Sequence, residues 1–252
     1  MSAHHHNLSI PSRTDIPLLF GGAAICIASL TASVGAQATS TVCQTEGPAD
    51  FVGLIDNQYF PLRPGTTFTY DGTVDGQPAR TVTQVTKDSK LIQGVRATVV
   101  HDALYINGTL AEDTFDWYAQ DKAGNVCYFG EDTRELDASG NVISTAGSWQ
   151  AGKNGDLPGA IMLADPQPGD FYKQEFAPGV AEDEATVISR TKSIKVPYGS
   201  FSNVLLTSET TPLEPGSVGN KYYAPNVGLI ADIAKKGGRE RFELVSITAP
   251  QP

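Results

Sequence analysis

Asp116 and Glu131 flank the turn-like sequence Asp121-Lys122-Ala123-Gly124-Asn125, each inside a run with strand-like alternation. Alternation places Thr114, Asp116, Tyr118 and Gln120 on one face of the first run, with Phe115 and Trp117 on the other. In the second run it groups Cys127, Phe129 and Glu131. If the hairpin register aligns them, Asp116 and Glu131 approach one another. A carboxylate pair can serve as general acid and base, or can bind calcium together with backbone carbonyls. Two solvated carboxylates on the open face of a sheet would show the same residues.

Other side chains narrow the chemistry. Of four histidines, His4, His5 and His6 lie in the leader described below, so His101 alone remains to the mature chain. A three-histidine zinc site, a two-histidine iron site and a His-rich copper site therefore cannot be built within it. No Gly-x-Ser-x-Gly elbow accompanies His101, and neither Glu131-Asp132 nor Glu182-Asp183-Glu184 has the spacing of a dedicated calcium loop. The expectation is no metal and no cofactor. Rings with polar tips include Trp117, Tyr118, Trp149, Tyr172, Tyr222 and Tyr223, of the kind that line sugar sites and apolar pockets. Trp117, Tyr118, Trp149 and Tyr222, with Met162, are the candidate ligand-binding residues.

The elements that must hold these groups are β-strands. Helical periodicity is scarce after Thr39, whereas β-rich runs bounded by Gly, Pro, Asn and Asp recur about every ten residues. They include Thr67 to Tyr70, Arg80 to Thr86, Leu91 to His101, Thr114 to Gln120, Val126 to Phe129 and, farther on, Phe171 to Phe176, Thr186 to Val196 and Ser202 to Thr210. The 121–125 turn and a second, Asp137-Ala138-Ser139-Gly140-Asn141, each carry Gly where a hairpin ending in a bulge needs positive φ, which makes three consecutive strands a meander. From 145 to 170 the pattern gives way to a Gly- and Pro-rich loop containing Trp149 and Ile161-Met162-Leu163, expected as a lid or plug across one end of the sheet. The fold class is thus all-β: an antiparallel curled sheet or barrel with one long loop.

At the start, Arg13, an apolar run from Ile16 to about Val34 and the small-x-small sequence Ala36-Gln37-Ala38 read as a signal peptide. The domain reading is a leader over 1–38, an N-terminal extension over 39–56 and one β domain over 57–249. An uncleaved anchor is the alternative for the leader; after cleavage no integral span is expected, and the location is secreted or periplasmic. Removing Arg13 and Asp15 together leaves the net charge of −10 unchanged. Such a surface repels nucleic acid and anionic membranes. In an oxidising compartment Cys43 and Cys127 could form a disulfide, or remain two separate thiols.

Several runs resemble a group of exported bacterial proteins of unassigned function: Asn57-Gln58-Tyr59-Phe60-Pro61-Leu62-Arg63-Pro64-Gly65-Thr66, Asp116-Trp117-Tyr118-Ala119-Gln120-Asp121, Tyr128-Phe129-Gly130-Glu131-Asp132 and Lys221-Tyr222-Tyr223-Ala224-Pro225. The resemblance covers nearly the whole mature chain and implies a lipocalin-like or LolA-like domain, in which an antiparallel sheet curls around an apolar ligand or a plug. It carries no catalytic residue. This chain departs from the pattern at Cys127, where an aromatic residue is usual, and at Asn226, where Gly is frequent. Three functions stay open. The first is an envelope domain that binds a lipid or other small apolar molecule. The second is a structural or interaction domain without a pocket. The third is a hydrolase or lyase acting on an extracellular glycan or ester through Asp116 and Glu131.

Overall fold

The computed structural model describes residues 41–249; the expected leader, 1–38, lies outside them. Fifteen strands follow one another: β1 Phe51–Val52, β2 Thr67–Val74, β3 Gln77–Ile92, β4 Val95–Ile106, β5 Thr109–Asp121, β6 Val126–Leu136, β7 Val142–Ser144, β8 Trp149–Gln150, β9 Gly159–Met162, β10 Phe171–Lys173, β11 Glu184–Val196, β12 Gly199–Thr210, β13 Val218–Ala224, β14 Gly228–Lys236 and β15 Arg241–Thr248. All pairings are antiparallel, in the order β10-β11-β12-β13-β14-β15-β2-β3-β4-β5-β6-β7, with β1 on β5 and both β8 and β9 on β6. The sheet curls without closing into a barrel. Its two ends approach where the Leu157 amide donates to the Phe176 carbonyl at 3.0 Å.

Turn chemistry explains the long hairpins. Asp75-Gly76, Gln93-Gly94 and Asn107-Gly108 each place two successive residues at positive φ, the two-residue turn whose twist matches that of the flanking strands. The 93–94 turn divides the expected Leu91–His101 strand: β3 runs to Ile92 and β4 begins at Val95. The turns at 121–125 and 137–141 form as expected, with Gly124 and Gly140 at positive φ and the Asp121 and Asp137 carboxylates each accepting the amide four residues on. Asn226 takes a left-handed backbone, φ 61°, and its amide donates to the Gln58 carbonyl, so the departure from Gly there is accommodated.

The 145–170 segment is no detached lid. Trp149 pairs with Glu131, Cys127 with Ala160 and Val126 with Met162, so the segment lies along β6 as part of the sheet. Residues 41–56 are likewise built in. Phe51 and Val52 pair with Asp121 and Gln120, and Phe51 meets the Phe129 ring edge-on at 5.5 Å. Cys43 and Cys127 are joined by a disulfide with Cα atoms 5.6 Å apart, both residues buried.

Candidate functional site

The register sets Asp116 directly opposite Glu131 and Tyr118 opposite Tyr128. Trp117 on β5 thus faces two residues on β6, Phe129 and Gly130, a bulge that shifts parity there. Gly130 has φ 121°, and a Cβ there would collide with the Trp149 carbonyl. The bulge corrects the grouping expected from simple alternation. Glu131 shares its face with Tyr128, while Cys127 and Phe129 point to the opposite face, toward Cys43 and Phe51. Gly130→Ala should therefore lower stability by about 1–3 kcal/mol, from backbone strain and displacement of β8. Urea unfolding measures this, and an unchanged midpoint would contradict the bulge.

On the inner face Asp116 is 0% exposed and Glu131 1%, so they are not solvated carboxylates. The Tyr128 hydroxyl lies 2.5 Å from Asp116 Oδ1 and 2.6 Å from Glu131 Oε2. A phenol has one proton, so one of these two short contacts requires a protonated carboxyl that donates to the phenol oxygen. Asp116 is the better holder, because its Oδ2 has no hydrogen-bond partner and an unpaired oxygen is less costly on a neutral acid than on a carboxylate. Burial first, then the neighbouring Glu131, pushes the Asp116 pKa up to about 7. The Tyr118 ring stacks on Tyr128 at 4.6 Å, and Trp149 meets Tyr128 edge-on while its Nε1 donates to Glu175 at 3.3 Å.

The two carboxyl groups come within about 5 Å of each other through this phenol, the separation of a retaining glycosidase pair. Yet Tyr128 occupies the place a glycosidic bond would need, and both acids are sealed from solvent. The arrangement is that of a buried proton-sharing bridge. A second buried polar group lies on β12 and β13: Lys221 bonds Glu209 at 2.7 Å, and Gln174 and Thr207 donate to the same carboxylate. Burial works against the Lys221 charge, but Glu209 and Asp232 hold its pKa above the ordinary range.

Two clefts accompany these groups. The inner one, lined by Phe60, Phe68, Tyr70, Tyr118, Tyr223 and Leu229, holds about 40 Å³. That is room for a water or a few methylene groups and far below a small-molecule site. The outer one, about 310 Å³, lies across the bulge and is lined by Lys90, Trp117, Asp132, Ser148, Trp149, Gln150, Lys153 and Asn154. That volume is at the lower end of small-molecule sites. The Lys90 ammonium sits 3.0 Å from the centre of the Trp117 ring, and burial followed by the nearby Lys153 charge lowers its pKa.

The expected ligand residues are thereby distributed. Trp117 and Trp149 line the outer cleft and Tyr118 the inner one. Met162 is fully buried against β6, and Tyr222 is half-buried; neither lines either cleft. The sequence assigns no site role to Tyr128, which stands there only within a family-like run, nor to Lys90 or Lys153. Gly130 within an aromatic run was the available signal for the bulge that brings Tyr128 to Asp116. Lys90 had none, since its place over Trp117 depends on the pairing of three strands.

No known family profile matches the chain, and no curated protein does. Among solved structures, a Bacteroides fragilis protein described as exported and of YmcC-like fold is 16% identical, with 77% of this chain and 100% of that one aligned and a TM-score of 0.45. A protein of Parabacteroides distasonis described as a lipoprotein is 12% identical over 76% of this chain and 99% of its own, with a TM-score of 0.41.

Proposed function

We propose that this is an extracytoplasmic small-molecule-binding domain whose ligand site is the outer cleft. The observation that carries the reading is the cleft itself: about 310 Å³, walled by two tryptophans, two lysines, one carboxylate and two side-chain amides drawn from β3, β5, β6, β8 and the 151–154 turn. Convergence of a few polar groups around an aromatic wall is the usual composition of a ligand site. The leader sequence and the Cys43–Cys127 disulfide support a location outside the cytoplasm. A lipid held within the sheet is disfavoured by the small inner cleft, and hydrolysis by the burial of Asp116 and Glu131.

Native mass spectrometry of protein purified from its own host, followed by extraction, tests this. A bound small molecule is expected, and Lys153→Trp, at an exposed position on the cleft wall, should reduce its occupancy at least tenfold. An empty wild-type protein, or equal occupancy in the variant, would remove the outer cleft as the site.

A further inference from the structure

The electrostatics of the outer cleft point to a class of ligand, on the premise that the cleft is the binding site. In a chain of net charge −10, two ammonium groups line one small cleft. Lys90 is pressed onto the Trp117 ring, where the ring's negative face is its neighbour. The one acid in the cleft, Asp132, partly offsets Lys90 and is also shared with Arg134 at 3.0 Å, so two lysines against one shared carboxylate leave the cleft net positive. An anion placed between them would relieve their mutual repulsion and replace the hydration that Lys90 has lost.

The remaining wall chooses among anions. The side-chain amides of Gln150 and Asn154 bond to no other described residue and present paired donors and acceptors to the cleft. An inorganic oxyanion accepts from the amide N–H groups but has few donors for their carbonyl oxygens and no apolar surface for the tryptophan wall. A sugar supplies both, through its vicinal hydroxyls and its C–H face. Ser148 contributes shape alone, because its Oγ accepts from the Thr133 amide and donates to the Thr133 carbonyl.

We infer that the cleft takes an anionic sugar, with its ring against Trp117 and the Gln150 and Asn154 amides and its carboxylate or phosphate between Lys90 and Lys153. Either source of charge fits the same pair of lysines.

Titration calorimetry on the full protein with glucuronate, glucose 6-phosphate, glucose and inorganic phosphate tests this, with circular dichroism to confirm folding of each variant. At least one charged sugar should bind at least tenfold more tightly than both glucose and phosphate, and the tighter of the two identifies the charged group. Lys90→Met keeps an apolar stem on Trp117; it and Lys153→Met should each abolish most of that preference. Equal binding of glucose, equal binding of phosphate, a preference that survives in both variants, or no binding of any probe would overturn the inference. The two readings fail separately: a neutral molecule extracted from the wild-type protein and displaced by Lys153→Trp keeps the cleft as the site while excluding an anionic sugar.

Discussion

Replacing Cys43 and Cys127 together with alanine is expected to cost roughly 4 kcal/mol of stability. The bridge spans 84 residues of sequence, and in the chain-entropy description closing a loop of that length removes about 4–5 kcal/mol worth of unfolded-state freedom. The effect on the native state adds to this. Cys43 anchors the start of a segment whose other attachments include the two-residue strand β1, the Phe51–Phe129 contact, the Lys122 amide donating to the Asp50 carbonyl and the bonds between Asp56 and Gln120, all of them at or beyond Asp50. Losing the bridge should therefore fray residues 41–52 first and expose Phe129, before the rest of the sheet melts. Urea unfolding of the double variant against wild type measures the loss, and hydrogen exchange at β1 locates it. A denatured, unreduced wild-type sample should show no free thiol once the leader is removed, and one, from Cys26, if it is retained. A loss below about 1 kcal/mol, with two reactive thiols in the leaderless chain, would mean that the cysteines are not joined.

Much of this architecture is legible in the sequence because turns write themselves locally. The 121–125 and 137–141 hairpins each combine an aspartate that caps the turn with a glycine at positive φ, a signal confined to five residues. Strand limits are less local. Leu91–His101 reads as a single β-rich run across Gln93-Gly94, and the left-handed turn that splits it depends on the cross-strand pairing of β3 with β4. Strands β8 and β9 are two and four residues long, and they exist only because β6 offers them an edge. Residues of so short a length cannot announce themselves by periodicity.

Site geometry follows the same division. Alternation on β5 assigns Asp116 and Tyr118 to one face and Trp117 to the other, as the structure has them, because β5 carries the single residue opposite the bulge. On β6 the extra residue reverses parity between Tyr128 and Glu131, so an argument from period two selects the wrong neighbours for Glu131. The outer cleft is harder still, since Lys90, Trp117 and Lys153 come from separate segments joined only by the sheet.

Stability should rise on mild acidification, an unusual direction for a chain with this excess of carboxylates. Burial, then Glu131, raises the Asp116 pKa to about 7, against about 4 for an unfolded aspartate. Between those values the folded chain retains a proton that the unfolded chain has lost. The associated stability is fully present below about pH 4 and is lost as pH rises through 7. Asp232, raised mainly by burial to about 6 despite the opposing Lys221 charge, acts in the same sense. Asp71 and Asp137, whose pKa values are lowered by hydrogen bonds from Arg80 and Asn141, titrate below this window and do not oppose it. Each proton contributes at most about 1.4 kcal/mol per pH unit, so urea unfolding at pH 5 and pH 7 should differ by about 2 kcal/mol or more in favour of pH 5. Asp116→Asn should flatten that slope and leave the variant more stable than wild type at pH 8, because an amide can donate to the Tyr128 oxygen without carrying charge. Tyr128→Phe removes the bridge itself and should cost about 1–3 kcal/mol through two buried acids that lose a partner. An Asp116→Asn variant with the wild-type slope would place the shared proton on another group.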